Sequence, residues 1–269
     1  MSDEVSPSED PIHAPAAPER VPSIDLGEVL GSTFRILNKS FPKLFAIGLL
    51  LYVPYFAIEI MYPGFLDPDP ALAESDPLRF VQGFASAMGL NAVLGQLLTA
   101  TVCYEALQRL RGRRATIQRS LSVGLQRLFP VLMMLFVMFW PVLFAMFLLI
   151  FPAIMLMMRW WVAVPVCVIE RRGIMECLKR SSELTRGNRW QVFAISIIGV
   201  LIGFSSAFPI GIAKEFVGDS AARQGLSIAL VAVTAALAVF QGILVSVTYS
   251  ELRTKKEGTT SDELLEIFS

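Results

Sequence analysis

Charge is scarce in this sequence. Only 17% of its 269 residues are Asp, Glu, Lys or Arg and the formal net charge is zero, whereas a soluble domain carries about one-quarter charged residues. Water is thereby excluded as the main solvent, and so is the strongly basic surface that nucleic-acid binding requires. Histidine is scarcer still. The single one, His13, sits in the N-terminal stretch, which leaves no ligand set in register for a metal. Three cysteines, Cys103, Cys167 and Cys177, have no paired spacing and read as reduced thiols near the cytoplasmic face. An HExxH motif, a paired-Asp arrangement and a Ser/His pair are all missing, so neither an enzymatic activity nor a cofactor is expected.

The first 22 residues, MSDEVSPSEDPIHAPAAPERVP, lack an apolar run and are rich in Pro, Ser and acid. Such a segment cannot offset its ordering entropy and is expected to be a disordered tail. It also lacks the basic start and apolar stretch of a secretory signal peptide. The first span is therefore expected to act as its own insertion signal.

What the chain has in quantity is apolar residues, 54% of the total. A hydrocarbon core of about 30 Å needs about 20 apolar residues in helical form. Stretches that meet this run from Leu44 to Leu66, Phe80 to Tyr104, Leu128 to Val168, Gln191 to Ala213 and Gln224 to Ser250. The third is twice the length of the others and reads either as two spans turning at Phe151-Pro152 or as one span with excess. The basic residues decide for two. With six spans they fall as four before the first span, six between the second and third, six between the fourth and fifth and three after the sixth, against only Arg79, Lys214 and Arg223 on the other side. Five spans would put RLRGRR and ERRG on opposite faces.

The predicted fold is thus an all-α integral membrane protein of the cell membrane, with six transmembrane helices in three hairpins and both termini cytoplasmic. Residues 1–22 form the tail, 23–250 the membrane domain and 251–269 a cytoplasmic C-terminal tail. Amphipathic stretches precede each hairpin: IDLGEVLGSTFRILNKSFPKLF, IQRSLSVGLQRLFPVL and IMECLKRSSELTRGNRWQVF. Their helical spacing predicts interfacial helices along the cytoplasmic surface. Phe41, Phe129 and Trp190 then take equivalent positions in a threefold repeat, unless any helix leaving a membrane simply looks like this. Trp190 suits an interfacial belt, whereas Trp160 and Trp161 sit deeper and are expected inside the bundle.

Lipid supplies no hydrophobic force between spans, so small residues must bring backbones together. Gly199, Gly203, Ala207 and Gly211 form a four-step ridge on the fifth span, and the sixth offers Ala235, Ala238, Gly242 and Ser246. These predict a tight pair of spans five and six, with a homodimer contact as the other reading. Pro54, Pro141, Pro165 and Pro209 are expected to bend their helices.

Ionisable residues inside the membrane are functional candidates by default. Glu59 and Arg159 lie at depths that could match, which predicts an ion pair between them. The alternative makes Arg159 an anion contact in a polar cavity with Asn91, Gln96 and Gln241, as in a small-molecule permease. The other dense cluster, ERRGIMECLKRSSELTRGNRW, is cytoplasmic. There Lys179, Arg180, Arg186 and Arg189 are the candidate contacts for anionic lipid headgroups or a membrane-protein partner, each worth about 1 kcal/mol near an anionic leaflet.

At this cluster the sequence resembles the membrane domain of glycerophosphoryl diester phosphodiesterases and its stand-alone prokaryotic relatives. The resemblance rests on VPVCVIE running into ECLKRSSELTRGNRWQVF, on the opening IDLGEVLGSTFRILNKSF and on the closing VTYSELRTKKEG. It spans residues 24 to 257, and Glu170, Arg180, Ser181, Thr185, Gly187 and Trp190 carry its pattern. What it implies is a membrane module without the family's catalytic barrel, and hence no phosphodiesterase activity. The expected function is non-enzymatic: binding of lipid headgroups or a protein partner through the basic cytoplasmic face.

Overall fold

The computed structural model describes residues 24–62, 65–66, 72–113, 116–218 and 220–258. The tail expected over residues 1–22 with His13, most of the acidic loop after the first span and the end of the C-terminal tail lie outside the described residues.

The chain starts with α1 (Leu26–Leu51), capped by Asp25, whose carboxylate accepts from the Gly27 amide at 2.8 Å. At Tyr52 the helix breaks, and α2 (Val53–Met61) leaves at 43° with Pro54 in its first turn. Proline's missing N–H costs nothing there, because those amides have no intrahelical acceptor. After α3 (Leu72–Ser75), Asp76 caps α4 (Pro77–Leu110) with Pro77 in the first turn. A left-handed Gly112, φ +70°, closes that helix: its amide donates to the Arg109 carbonyl and that of Arg113 to the Gln108 carbonyl. This paired arrangement satisfies two terminal carbonyls and needs glycine at the turn.

The long apolar stretch becomes α5 (Ile117–Leu148), α6 (Ile150–Arg159) and α7 (Ala163–Glu170). The chain turns at an extended Leu149 instead of at Phe151-Pro152, and Pro152 falls in the first turn of α6. The short helix α8 (Ile174–Thr185) folds back on α7, and α9 (Arg189–Phe216) and α10 (Ser220–Glu257) complete the chain. Pro141 and Pro209 lie inside α5 and α9, whereas Pro54 and Pro165 open new helices after breaks.

Five helical segments are long and apolar enough to cross a membrane, six if the bent α1–α2 pair is one span. The surface agrees with that count. Phe136, Phe139, Phe144 and Phe151 are exposed, and Phe147 is 93% exposed, an apolar belt far too continuous for water. Helix α10, with its 38 residues, is about 57 Å long. It outruns the hydrocarbon and carries its last turns into the polar layer.

The core forms where α10 meets α1, α4 and α9, and where α4 meets α5. Small residues make these crossings possible. A methyl group on Gly242 would stand 2.8 Å from Val102 Cγ1, and one on Gly48 would touch Leu98 and Ala235. The small-residue face expected to join α10 to α9 is therefore spent on α4 and α1. On α9 only Gly199 is closely approached, by the Gln241 amide, while Gly203 and Gly211 have open space around them. The pairing of α9 with α10 stands, but its expected ridge is corrected: of the glycines on that face of α9, only Gly199 is packed against α10.

A second correction concerns the amphipathic stretches. In α1 and α5 they continue into the apolar segment without interruption; among the described residues only α8 stands as a separate helix before its span. Pro42 and Pro130 fall at the expected junctions, yet each lies inside a continuous helix: a proline removes one backbone hydrogen bond and bends the helix without ending it.

Candidate functional site

Two carboxylates organise the end of the molecule where α4, α7 and α10 finish. Glu105, in the last turns of α4, is fully buried. Lys43 Nζ of α1 lies 2.8 Å from its Oε1 and Arg109 Nε 3.2 Å, while Ser120 Oγ of α5 donates to Oε2 at 3.0 Å. One side chain thus ties three helices together. A buried carboxylate is tolerable only when charged partners and hydrogen bonds replace its water, and here both are present.

Glu170 is the second. It ends α7, followed by Arg171 in the left-handed region, φ +52°, an uncommon conformation for a residue with a Cβ. That turn brings Arg172 back, its Nε 3.0 Å from Glu170 Oε2, while Oε1 accepts from Tyr249 Oη at 3.0 Å and from Arg180 Nε at 3.5 Å. Arg180 also pairs with Glu257, which Arg253 Nε holds at 2.7 Å. Helices α7, α8 and α10 are locked through this chain of charges.

The residues singled out in the basic cluster separate in the structure. Arg180 is committed to Glu170 and Glu257. Lys179 and Arg186 are exposed on α8, and Arg189 is half-buried. Lys256 joins them, donating to the Glu183 carbonyl and lying in the field of Arg180, Arg186 and Arg189. Trp190 is 68% exposed beside this patch, whereas Trp160 and Trp161 are half-buried against the core.

The structure does not bring Arg159 and Glu59 together. Glu59 is buried in α2, while Arg159 ends α6 and meets α8: its Nε donates to Ser182 Oγ at 3.1 Å. The break between α6 and α7 frees the Arg159 carbonyl, and Ser181 Oγ (3.0 Å) and Thr185 Oγ1 (3.3 Å) donate to it. Matching depth along two spans did not imply contact, because α8 folds back to the level of Arg159 and occupies that face. The pattern Glu170, Arg180, Ser181, Thr185 and Gly187 is accordingly a docking device. The first two pair, the next two satisfy the broken helix, and Gly187, φ +91°, ends α8.

A cavity of about 400 Å³ opens beside the α1–α2 break, lined by Tyr52, Tyr55, Asn91, Gln96, Thr99 and Thr234 among others. Asn91 and Gln96 are where the sequence put them, but Arg159 and Gln241 are elsewhere. Thr99 and Thr234 donate back to their own helices at 2.8 Å each, and Asn91 Nδ2 to the Ala87 carbonyl at 3.2 Å. The lining is uncharged and mixes these largely self-satisfied polar groups with the apolar Leu230, Val231 and Ala238. All three cysteines are free and buried, and the Cys177 thiol is pushed up by the hydrogen bond it shares with Cys167 and by burial.

Glu105 escaped the sequence reading because it lies one residue beyond the second apolar stretch. A signal was present: the chains leaving the second, fourth and sixth spans read VCYE, VCVIE and TYSE, ending at Glu105, Glu170 and Glu251.

Long apolar helices, an exposed apolar belt and charge locked at the helix ends define a multi-pass helical membrane protein. Within that class the chain belongs to a family described as a domain of unknown function (DUF7847), whose model matches residues 71–252. No curated protein and no solved structure matches the chain.

Glu105→Ala leaves Lys43 and Arg109 facing each other across the gap, and removal of one partner from a buried pair costs about 3–5 kcal/mol. Partial exposure of both cations, 25% and 22%, brings the expected loss to about 2 kcal/mol. It is read as a lower unfolding temperature in detergent; an unchanged temperature would contradict the role given to Glu105.

Proposed function

We propose that this chain is a non-enzymatic membrane module, a stand-alone relative of the membrane domain found in glycerophosphoryl diester phosphodiesterases, that gathers anionic lipid headgroups on its cytoplasmic face. In this reading it crosses the cell membrane six times in three hairpins, α1–α2 forming one bent span, with both ends cytoplasmic. The observation that carries it is the division of labour on α8. Arg180 is neutralised by two carboxylates, while Lys179 and Arg186 stay exposed and Arg186 shares the field of Arg189 and Lys256. The exposed Trp190 adds an interfacial anchor at the same level.

Two charges facing an anionic leaflet are worth about 1 kcal/mol each. The wild-type chain is expected to retain phosphatidylglycerol over phosphatidylcholine in native mass spectrometry, and Lys179→Gln with Arg186→Gln to lower that preference about thirtyfold. Equal retention of the two lipids by the wild type would end this reading.

The polar cavity supports a second reading, a permease-like passage for a small uncharged solute. It sits at a broken helix, where freed backbone groups commonly line binding sites in transporters. Vesicles carrying the protein are expected to take up glycerol faster than empty ones, and Ala238→Phe, which fills the cavity, to abolish the difference. Uptake equal to that of empty vesicles removes the passage.

A further inference from the structure

On the opposite flank of the same face, a groove of about 390 Å³ lies between α1 and the C-terminal turn of α4. Four cations line it, Arg35 and Lys39 from α1, Arg109 from α4 and Arg113 from the turn that follows α4, with the Ser32 hydroxyl beside them and Ile36 and Leu110 as apolar wall. Among the described residues no carboxylate lines it. The nearest is Glu105, which lies beneath Arg109 and is shared with Lys43.

From these residues we propose a phosphate-recognising site that takes a phosphomonoester dianion, carried either on a lipid headgroup or by a free phosphate. The first reason is charge. Four cations around one small volume repel each other, and a compact dianion relieves that repulsion where a single negative charge would relieve only part. The second is preparation. Two of the four side chains are already held, Arg109 by Nε on Glu105 and Arg35 by donation of Nη2 to Ser32 Oγ at 3.1 Å, and the turn at Gly112 fixes the backbone from which Arg113 projects. Side chains fixed beforehand lose little freedom on binding.

Geometry supplies the third reason. Arg109 uses Nε for its carboxylate, so both terminal nitrogens of the guanidinium are left for a ligand. A planar guanidinium fork matches the oxygens of a phosphate, and each charge-assisted bond is stronger than its neutral counterpart. The volume lies in the range of small-molecule sites, about 300–1,000 Å³. A headgroup and its first polar substituent therefore fit as well as bare phosphate. The site is distinct from the α8 patch: it uses other helices and other cations.

The test is made on the full chain in detergent and in nanodiscs, with inorganic phosphate and with phosphatidic acid as probes. Both are phosphomonoesters or their parent anion, whereas phosphatidylglycerol is a singly charged diester. Arg35→Gln combined with Arg113→Gln is expected to weaken binding of at least one probe about tenfold or more while leaving phosphatidylglycerol retention unchanged. Lys179→Gln with Arg186→Gln is expected to do the reverse, so failure of either site is told apart from failure of the other. Binding of phosphatidic acid without phosphate assigns the site to a lipid headgroup; binding of inorganic phosphate shows that it admits a free anion. Should the double variant lose its folded state, Lys39→Glu alone provides the same readout. The proposal is overturned if neither probe binds, if these variants bind as the wild type does, or if phosphatidylglycerol is lost in parallel.

Discussion

A carboxylate that leaves water must take its countercharges with it, and Glu105 is the point where this requirement is met most completely. It is fully buried, yet it accepts from Lys43, Arg109 and Ser120, so α1, α4 and α5 cannot separate without exposing an unpaired charge to a poorly solvating surround. Glu170 plays the same part for α7, α8 and α10. Between these two anchors the apolar helices need only fill space, and they do so through small residues such as Gly48 and Gly242. Arg180 is consumed by the second anchor, whereas Lys179 and Arg186 stay exposed.

Broken helices are the second theme. At Tyr52 the helix bends by 43° while the Tyr52 amide and carbonyl keep Gly48 and Phe56 as partners, whereas the break at Trp160–Val162 leaves the Arg159 carbonyl to find partners elsewhere. The second is closed by Ser181 and Thr185, which makes α8 part of the bundle instead of a strip lying on the membrane. The first is left beside the polar cavity. One break is thereby spent on structure, and the other borders a cavity of about 400 Å³.

Much of this was legible from residue patterns. Hydropathy located the helices able to cross a membrane, since in lipid the length of an apolar run sets the length of the element. The turn inside the long run was placed within a few residues of Leu149, and Trp190 was placed at the surface. Long-range partners were not legible. Position along an apolar run carries no information about neighbours, so the expected Glu59–Arg159 pair did not anticipate α8, which meets Arg159 through Ser181, Ser182 and Thr185. The Gly199 ridge likewise named a face of α9 but not its occupant. The groove of Arg35 and Arg113 was invisible for the same reason: its halves are separated by two spans, and only folding brings them together.

The most direct measurement concerns the face on which the basic connectors lie. Arg113→Cys, Arg172→Cys and Arg79→Cys are introduced singly into a chain whose own three cysteines are buried, and intact cells are treated with a membrane-impermeant maleimide. The expected result is labelling at position 79 and protection at 113 and 172 until the membrane is opened. Labelling of 113 and 172 from opposite sides would contradict the arrangement on which both anchors and both proposed anion-binding surfaces depend.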